Sequence, residues 1–216
     1  IAMMLGLGRG LPRFKQAMPA GAWRRDLASE PGIQVVAGKT ILVAGLGGIG
    51  RQVARRAKAL GMQVLATRNS SREGPAYVDY VGLAHELPEL VKGADVVVDA
   101  LPLTAATRGL FDAALFAEFK EGAYFINIGR GGTIVTDALL EALTSGRLAG
   151  AGLDVTDPEP LPPDHPLWQM PNVIITPHVS AGGFDREWLR FVIEENLRRY
   201  VAGETLLNEV DPARGY

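Results

Sequence analysis

The chain contains no cysteine, and that absence removes disulfide frameworks, thiolate zinc sites and cysteine nucleophiles together. It fits a reducing, cytoplasmic setting. A surplus of one charge is also missing, since 22 Lys plus Arg stand against 24 Asp plus Glu for a net of −2. Counterion release from nucleic acid needs a large local excess of Lys and Arg, so no nucleic-acid partner is expected. No apolar run approaches the roughly 20 residues that cross a bilayer, and no membrane partner is expected either. The apolar opening, residues 1–8, is short, lacks a basic lead-in and runs into Arg9 and Pro12, unlike a secretion signal. Ile1 is not a translation start, so the sequence is expected to begin inside a longer protein.

Glycine, in contrast, is abundant at 26 of 216 residues. The length is enough for a sizeable core and one or two domains. From Gly38 onward short β-branched runs alternate with longer amphipathic stretches. Strands are expected at 40–44, 63–67, 95–100, 124–128, 150–155 and 173–176, and helices at 49–60, 83–92, 112–119, 137–145 and 184–202. Runs such as Asp95-Val96-Val97-Val98-Asp99 do not alternate polar with apolar, as expected of strands buried on both faces. The fold class is therefore α/β, a doubly wound parallel sheet with helices on both sides.

Gly61, Gly93, Gly122, Gly146 and Gly203 each fall just past an expected helix, where a left-handed cap residue suits glycine. The expected organisation is a lead-in over 1–37, a dinucleotide-binding domain over 38–180, and a return helix with tail over 181–216. A loop over 157–166 holds five prolines in ten residues.

The strand over 40–44 runs directly into Gly45-Leu46-Gly47-Gly48-Ile49-Gly50 and then a helix, so a G-x-G-x-x-G spacing falls at a strand-to-helix turn. Gly45 suits the tight turn, Gly47 the approach of a pyrophosphate, and Gly50 close helix-on-strand packing. The helix N-terminus adds unpaired N–H groups and partial positive charge. About 20 residues beyond such glycines an acidic residue selects NAD; here Arg68 stands at that place, followed by Asn69, Ser70, Ser71 and Arg72. Arg68, with Ser70 or Arg72 helping, suits a 2′-phosphate, so NADP is the expected cofactor, with NAD as the alternative.

Six segments in order then resemble the coenzyme-binding half of the D-isomer-specific 2-hydroxyacid dehydrogenases. They are the 45–50 turn, Leu101-Pro102-Leu103-Thr104 with Thr107, Asn127-Ile128-Gly129-Arg130-Gly131, Gly152-Leu153-Asp154-Val155, Glu159-Pro160, and Thr176-Pro177-His178. The resemblance runs over about 2–211 and implies a Rossmann-type domain and hydride transfer between a nicotinamide cofactor and a small 2-keto or 2-hydroxy acid. It also implies roles. His178 would exchange the proton, Glu159 would be its partner carboxylate, and Arg130 would grip the substrate carboxylate and polarise the keto oxygen. Gly48 and Ile49 would lie at the pyrophosphate, Leu101 and Pro102 at the adenosine, Thr107 beside the phosphates, Ile128 and Gly129 at the nicotinamide ribose, and Asp154 at the carboxamide.

His85 and His165 have no counterpart in this pattern and are expected in surface or loop positions. Members of the family begin with a substrate-binding domain on the order of a hundred residues, largely absent here, and the chain alone is expected to turn over little substrate. A homodimer through the coenzyme domain is expected, with residues 5–23 as contact arm. The alternative function is a cofactor-sensing binding module of the corepressor type.

Overall fold

A computed structural model describes residues 1–29, 33–182 and 186–210. Two helices, α1 (Ala2–Gly8) and α2 (Leu11–Ala17), precede the first strand. The chain then alternates through β1 (Thr40–Ala44), α3 (Gly48–Ala59), β2 (Gln63–Arg68), β3 (Tyr80–Leu83), α4 (Leu87–Val91) and β4 (Val96–Asp99). It continues with α5 (Ala113–Glu118), β5 (Ala123–Asn127), α6 (Thr136–Thr144), β6 (Leu148–Leu153), β7 (Val173–Ile175) and α7 (Arg186–Ala202). The chain forms two compact units, 1–177 and 178–216. No helix among the described residues is long and apolar enough to cross a membrane.

The first unit is built on a seven-stranded sheet in the order β3-β2-β1-β4-β5-β6-β7, every pair parallel. Strand direction and pleat explain why the apolar runs do not alternate with polar residues. In β1, Leu42 and Ala44 enter one core while Ile41 and Val43 enter the other; in β5, Phe125 divides in the same way from Tyr124 and Ile126. One face is covered by α4, α5 and α6, through residues such as Val91, Phe116 and Leu139. The opposite face is covered by α3 and by α1, whose Met4 and Leu7 are buried. The first helix is thus part of the core of this unit, and a Cβ at Gly152 would come within 2.8 Å of Met3 Cβ.

Three expectations need correction. β3 was not anticipated, and Leu83, expected to open a helix, closes that strand. The expected 83–92 helix is shorter: a 3-10 turn over Ala84–Glu86 precedes α4. Of the five cap glycines, Gly61, Gly122, Gly146 and Gly203 have positive φ, but Gly93 does not. Ala94 N–H closes a turn onto the Val91 carbonyl at 3.2 Å, with Gly93 as its third residue. A type I turn holds that position at negative φ. The expected start of the last helix at Phe184 lies outside the described residues.

The second unit is organised around α7. Arg198 bridges Glu195 and Glu204, and the Asn196 side chain both donates to the Leu207 carbonyl and accepts from its N–H.

Candidate functional site

In a parallel sheet all strand carboxyl ends lie along one edge, and the order reversal falls between β1 and β4, where α/β sheets hold ligands. The 45–50 turn leaves β1 at this point. Gly45 has φ +96°, and a Cβ there would come within 2.8 Å of the Ala100 carbonyl oxygen. Gly50 faces the Gly45 carbonyl oxygen so closely that any Cβ would overlap it. Gly47 and Gly48 meet nothing within 4 Å. The first pair is therefore required by the turn itself, whereas the second leaves room outside it.

Gly47 is the N-cap of α3 and brings no side-chain acceptor, so the first-turn N–H groups point toward that open space. Ile49 is exposed at the start of the helix. Gly45 N–H and Leu46 N–H both donate to the Thr67 carbonyl, at 3.3 and 3.1 Å, which ties the turn to the end of β2.

Arg68 is the last residue of β2 and donates from Nη1 to the Glu73 carbonyl at 2.8 Å. A guanidinium carries five N–H donors, so one such bond leaves capacity for an anion. Arg72, expected as a helper, is engaged elsewhere: Nη1 donates to the Tyr80 hydroxyl at 2.9 Å, and Nη2 pairs with Glu86 at 2.8 Å. Glu86 is held down to about 2, first by the Leu83 N–H, then by the Tyr80 hydroxyl and Arg72.

After β4 the chain turns through Leu101 and Pro102. The Thr107 hydroxyl donates to the Pro102 carbonyl at 2.6 Å and accepts from Thr104 N–H at 2.8 Å, fixing the loop's shape. After β5, Ile128, Gly129 and Arg130 form a loop wedged between two strands' exits. A Cβ on Gly129 would lie 2.7 Å from the Leu101 carbonyl oxygen, and one on Gly131 would overlap the Thr156 carbonyl. Arg130 is exposed, with Nη1 donating to the Gly129 carbonyl at 2.8 Å.

Asp154, buried just past β6, accepts from Thr176 Oγ1 at 2.5 Å. Glu159 is exposed in the proline-rich loop, and that loop is anchored to α6 by Thr136 Oγ1 donating to the Asp157 carbonyl at 2.7 Å. His178 opens the second unit with φ 53°. His85 is exposed, and His165 Nδ1 accepts from Leu167 N–H at 3.3 Å.

The first unit thus gathers at one sheet edge the 45–50 turn, Arg68, the 101–107 loop, the Arg130 loop, Asp154 and the loop bearing Glu159. Sequence reasoning missed the polar residues beneath them. Asp99 and Thr133 are fully buried, as is Asn127, whose Nδ2 donates to the Arg130 carbonyl at 3.0 Å while Oδ1 accepts from Gly129 N–H at 2.8 Å. The available signal was a carboxylate closing the apolar run Val96-Val97-Val98-Asp99.

Residues 1–180 match the family model described as D-isomer specific 2-hydroxyacid dehydrogenase, NAD binding domain. The chain is 36% identical over 212 residues to human glyoxylate reductase/hydroxypyruvate reductase, covering 97% of this chain and 64% of that protein. It is similar to a D-isomer specific 2-hydroxyacid dehydrogenase from Xanthobacter autotrophicus Py2 solved with NADPH and MES, at TM-score 0.86 and 37% identity, over 99% of this chain and 85% of that one. It is also similar to the NADPH-dependent glyoxylate/hydroxypyruvate reductase of Sinorhizobium meliloti solved with NADP and sulfate, at TM-score 0.79 and 34% identity, over 98% and 70%. The chain spans 56 to 64% of the length of three curated relatives it matches.

Proposed function

Since this chain belongs to the D-isomer specific 2-hydroxyacid dehydrogenase family, we propose that it is the coenzyme-binding portion of an NADP-preferring reductase of small 2-keto acids, of the glyoxylate/hydroxypyruvate type. The observation that carries this reading is the turn at the end of β1: two glycines whose Cβ positions are filled by backbone, and two that open onto space at the start of α3. Such a cradle fits a pyrophosphate. Arg68, at the end of the adjacent strand where a carboxylate would select NAD, supplies the charge for a 2′-phosphate.

Bound NADPH supplies the hydride for the carbonyl carbon. The chain's residues would hold it: Leu101 and Pro102 would flank the adenosine, Thr107 would fix the loop beside the phosphates, and Asp154 would accept from the carboxamide. Arg130 holds the substrate carboxylate with its planar fork and polarises the keto oxygen. The family resemblance assigns the proton to His178 and the role of partner carboxylate, which would favour the imidazolium, to Glu159. The same reading places the protein in the cytoplasm.

Trp23 is 92% exposed, and Leu11 and Met18 are exposed on the same N-terminal arm. Met18 and Trp23 line one groove with Phe14, and a second copy covering it would form the homodimer, because a contiguous exposed apolar patch marks an interface. Sedimentation should show a dimer at micromolar concentration; monomer alone would reject it.

The test of the cofactor assignment is a titration of NADPH and NADH against Arg68→Asp. Charge-assisted hydrogen bonds contribute roughly 1.5 to 3 kcal/mol each, so NADPH affinity should fall by about tenfold to a few hundredfold relative to NADH. An unchanged preference would sink the assignment.

A further inference from the structure

One carboxylate, Asp95, immediately precedes β4 and another, Asp99, ends it, and the two meet opposite surroundings. Asp95 accepts from Thr40 N–H at 2.8 Å and from Lys120 Nζ at 2.7 Å. Burial would raise its pKa, but those bonds and the Lys120 and Lys39 charges outweigh burial and leave it lowered. Asp99 is fully buried and, among the described residues, pairs with no cation. Its Oδ1 accepts from Leu101 N–H at 2.9 Å. Its Oδ2 lies 2.5 Å from Thr133 Oγ1, which lies 2.6 Å from the Arg130 carbonyl oxygen.

These three oxygens set a proton count. Each short O···O contact requires a proton between its atoms, since two lone pairs at that separation repel. A threonine hydroxyl carries one proton, and a carbonyl carries none. Asn127 Nδ2 also serves the Arg130 carbonyl, but no amide proton sits between Asp99 and Thr133. The second proton can come only from the Asp99 carboxyl. Burial acts in the same direction, pushing Asp99 up to about 7 against the Thr133 and Leu101 hydrogen bonds.

We propose that Asp99 is a positioning residue for Arg130: as a neutral acid it donates to Thr133, which donates to the Arg130 carbonyl and fixes the backbone from which that side chain reaches out. This rests on the reading of Arg130 as the group that holds the substrate carboxylate. One carboxyl then links two segments of the site, because its other oxygen holds Leu101. Loss of its proton leaves Thr133 with one hydrogen for two acceptors, and the Arg130 loop loosens as pH rises.

The neighbouring elements bring few groups that titrate. β1 places Ala44 beside Asp99 and β5 places Asn127. The segment after β4 carries Arg108, the loop after β5 carries Arg130, and β6 is followed by Asp154.

The test is made on the chain itself. An infrared difference spectrum against Asp99→Asn at about pH 6 should show the carbonyl stretch of a protonated carboxyl. The amide resonances of Leu101, Gly129 and Arg130 should shift together as pH rises past about 7, and stay flat in Asp99→Asn. In Thr133→Val the Leu101 shift should persist and those of Gly129 and Arg130 should be lost. Absence of the band, or Gly129 and Arg130 shifts that survive in Thr133→Val, would overturn the proposal. If Asp99→Asn does not fold, the carboxyl carbon shift of Asp99 in the unsubstituted chain reports the same protonation. The role of Arg130 fails separately: unchanged 2-keto acid affinity in Arg130→Gln, with band and titration intact, would remove that role and leave the chain of hydrogen bonds from Asp99 through Thr133 to the residue 130 carbonyl.

Discussion

Gly50 in the first turn of α3 stands against the carbonyl oxygen of Gly45, so closely that no side chain fits between helix and strand. Gly47, three residues before it, faces open space. The two glycines should therefore fail in different ways. Gly50→Ala must push α3 off β1, an overpacking cost of about 1 to 3 kcal/mol visible in denaturant unfolding. Gly47→Ala should leave the unfolding midpoint unchanged, because its φ of −78° suits any residue, yet weaken NADPH binding in a fluorescence titration. Equal NADPH affinity in Gly47→Ala would mean that the space at the helix start is not where the cofactor approaches.

The engagement of Arg72 with Tyr80 and Glu86 separates it from Arg68. Arg72→Ala should therefore change NADPH affinity by less than about twofold, far below the loss expected for Arg68→Asp from its charge-assisted bonds. Matching losses in the two variants would show that both arginines hold the phosphate.

Glu86, held near 2 in the folded chain, makes this cluster sensitive to acid. Its folded pKa lies below the ordinary value, so its contribution is full above about pH 4.5 and is lost as pH falls toward 2. Thermal unfolding across that window should be steeper in pH for the unsubstituted chain than for Glu86→Gln. Parallel curves would mean that the bonds from Leu83, Tyr80 and Arg72 do not persist in solution.

The doubly wound sheet was legible because β1, β4 and β5 are uninterrupted apolar runs, and the phosphate turn because glycines follow the first of them directly. β3 was not legible: Tyr80-Val81-Gly82-Leu83 is four residues long, contains a glycine, and pairs only with β2 at the sheet edge. The network under Arg130 was illegible for another reason. Asp99 and Thr133 are far apart in sequence and meet only because β4 and β5 align Asp99 with Asn127. A single sequence shows the residue types at a strand end but not the register that sets them side by side.

Phe111 joins the core to that same loop. Its ring is fully buried, 4.9 Å from the Phe125 centroid, while its N–H donates to the Thr133 carbonyl at 3.0 Å and its carbonyl accepts from Val135 N–H at 3.1 Å. Phe111→Ala should cost about 3 to 5 kcal/mol in denaturant unfolding. Amide exchange at Thr133 and Val135 should rise more than global destabilisation accounts for. Uniform acceleration would show that the ring stabilises the core without steadying the loop.

The two carboxylates Asp99 and Glu86 should give stability slopes of opposite sign. Asp99 has a folded pKa of about 7 against an ordinary 3.8, so between these values the folded chain keeps a proton that the unfolded chain has released. Stability from this group is full below about pH 4 and falls as pH rises through 7, by on the order of 1 kcal/mol per pH unit. Asp99→Asn keeps the donor toward Thr133 and the acceptor toward Leu101 but cannot ionise. Its unfolding free energy, measured beside that of the unsubstituted chain from about pH 4 to 8, should therefore gain on it as pH rises toward about 7 and level off above. A difference that runs the other way would mean that Asp99 is ionised in the folded chain, held by donors as Asp95 is, and that the Arg130 carbonyl is held by Asn127 Nδ2 and the Thr133 N–H without the Thr133 hydroxyl.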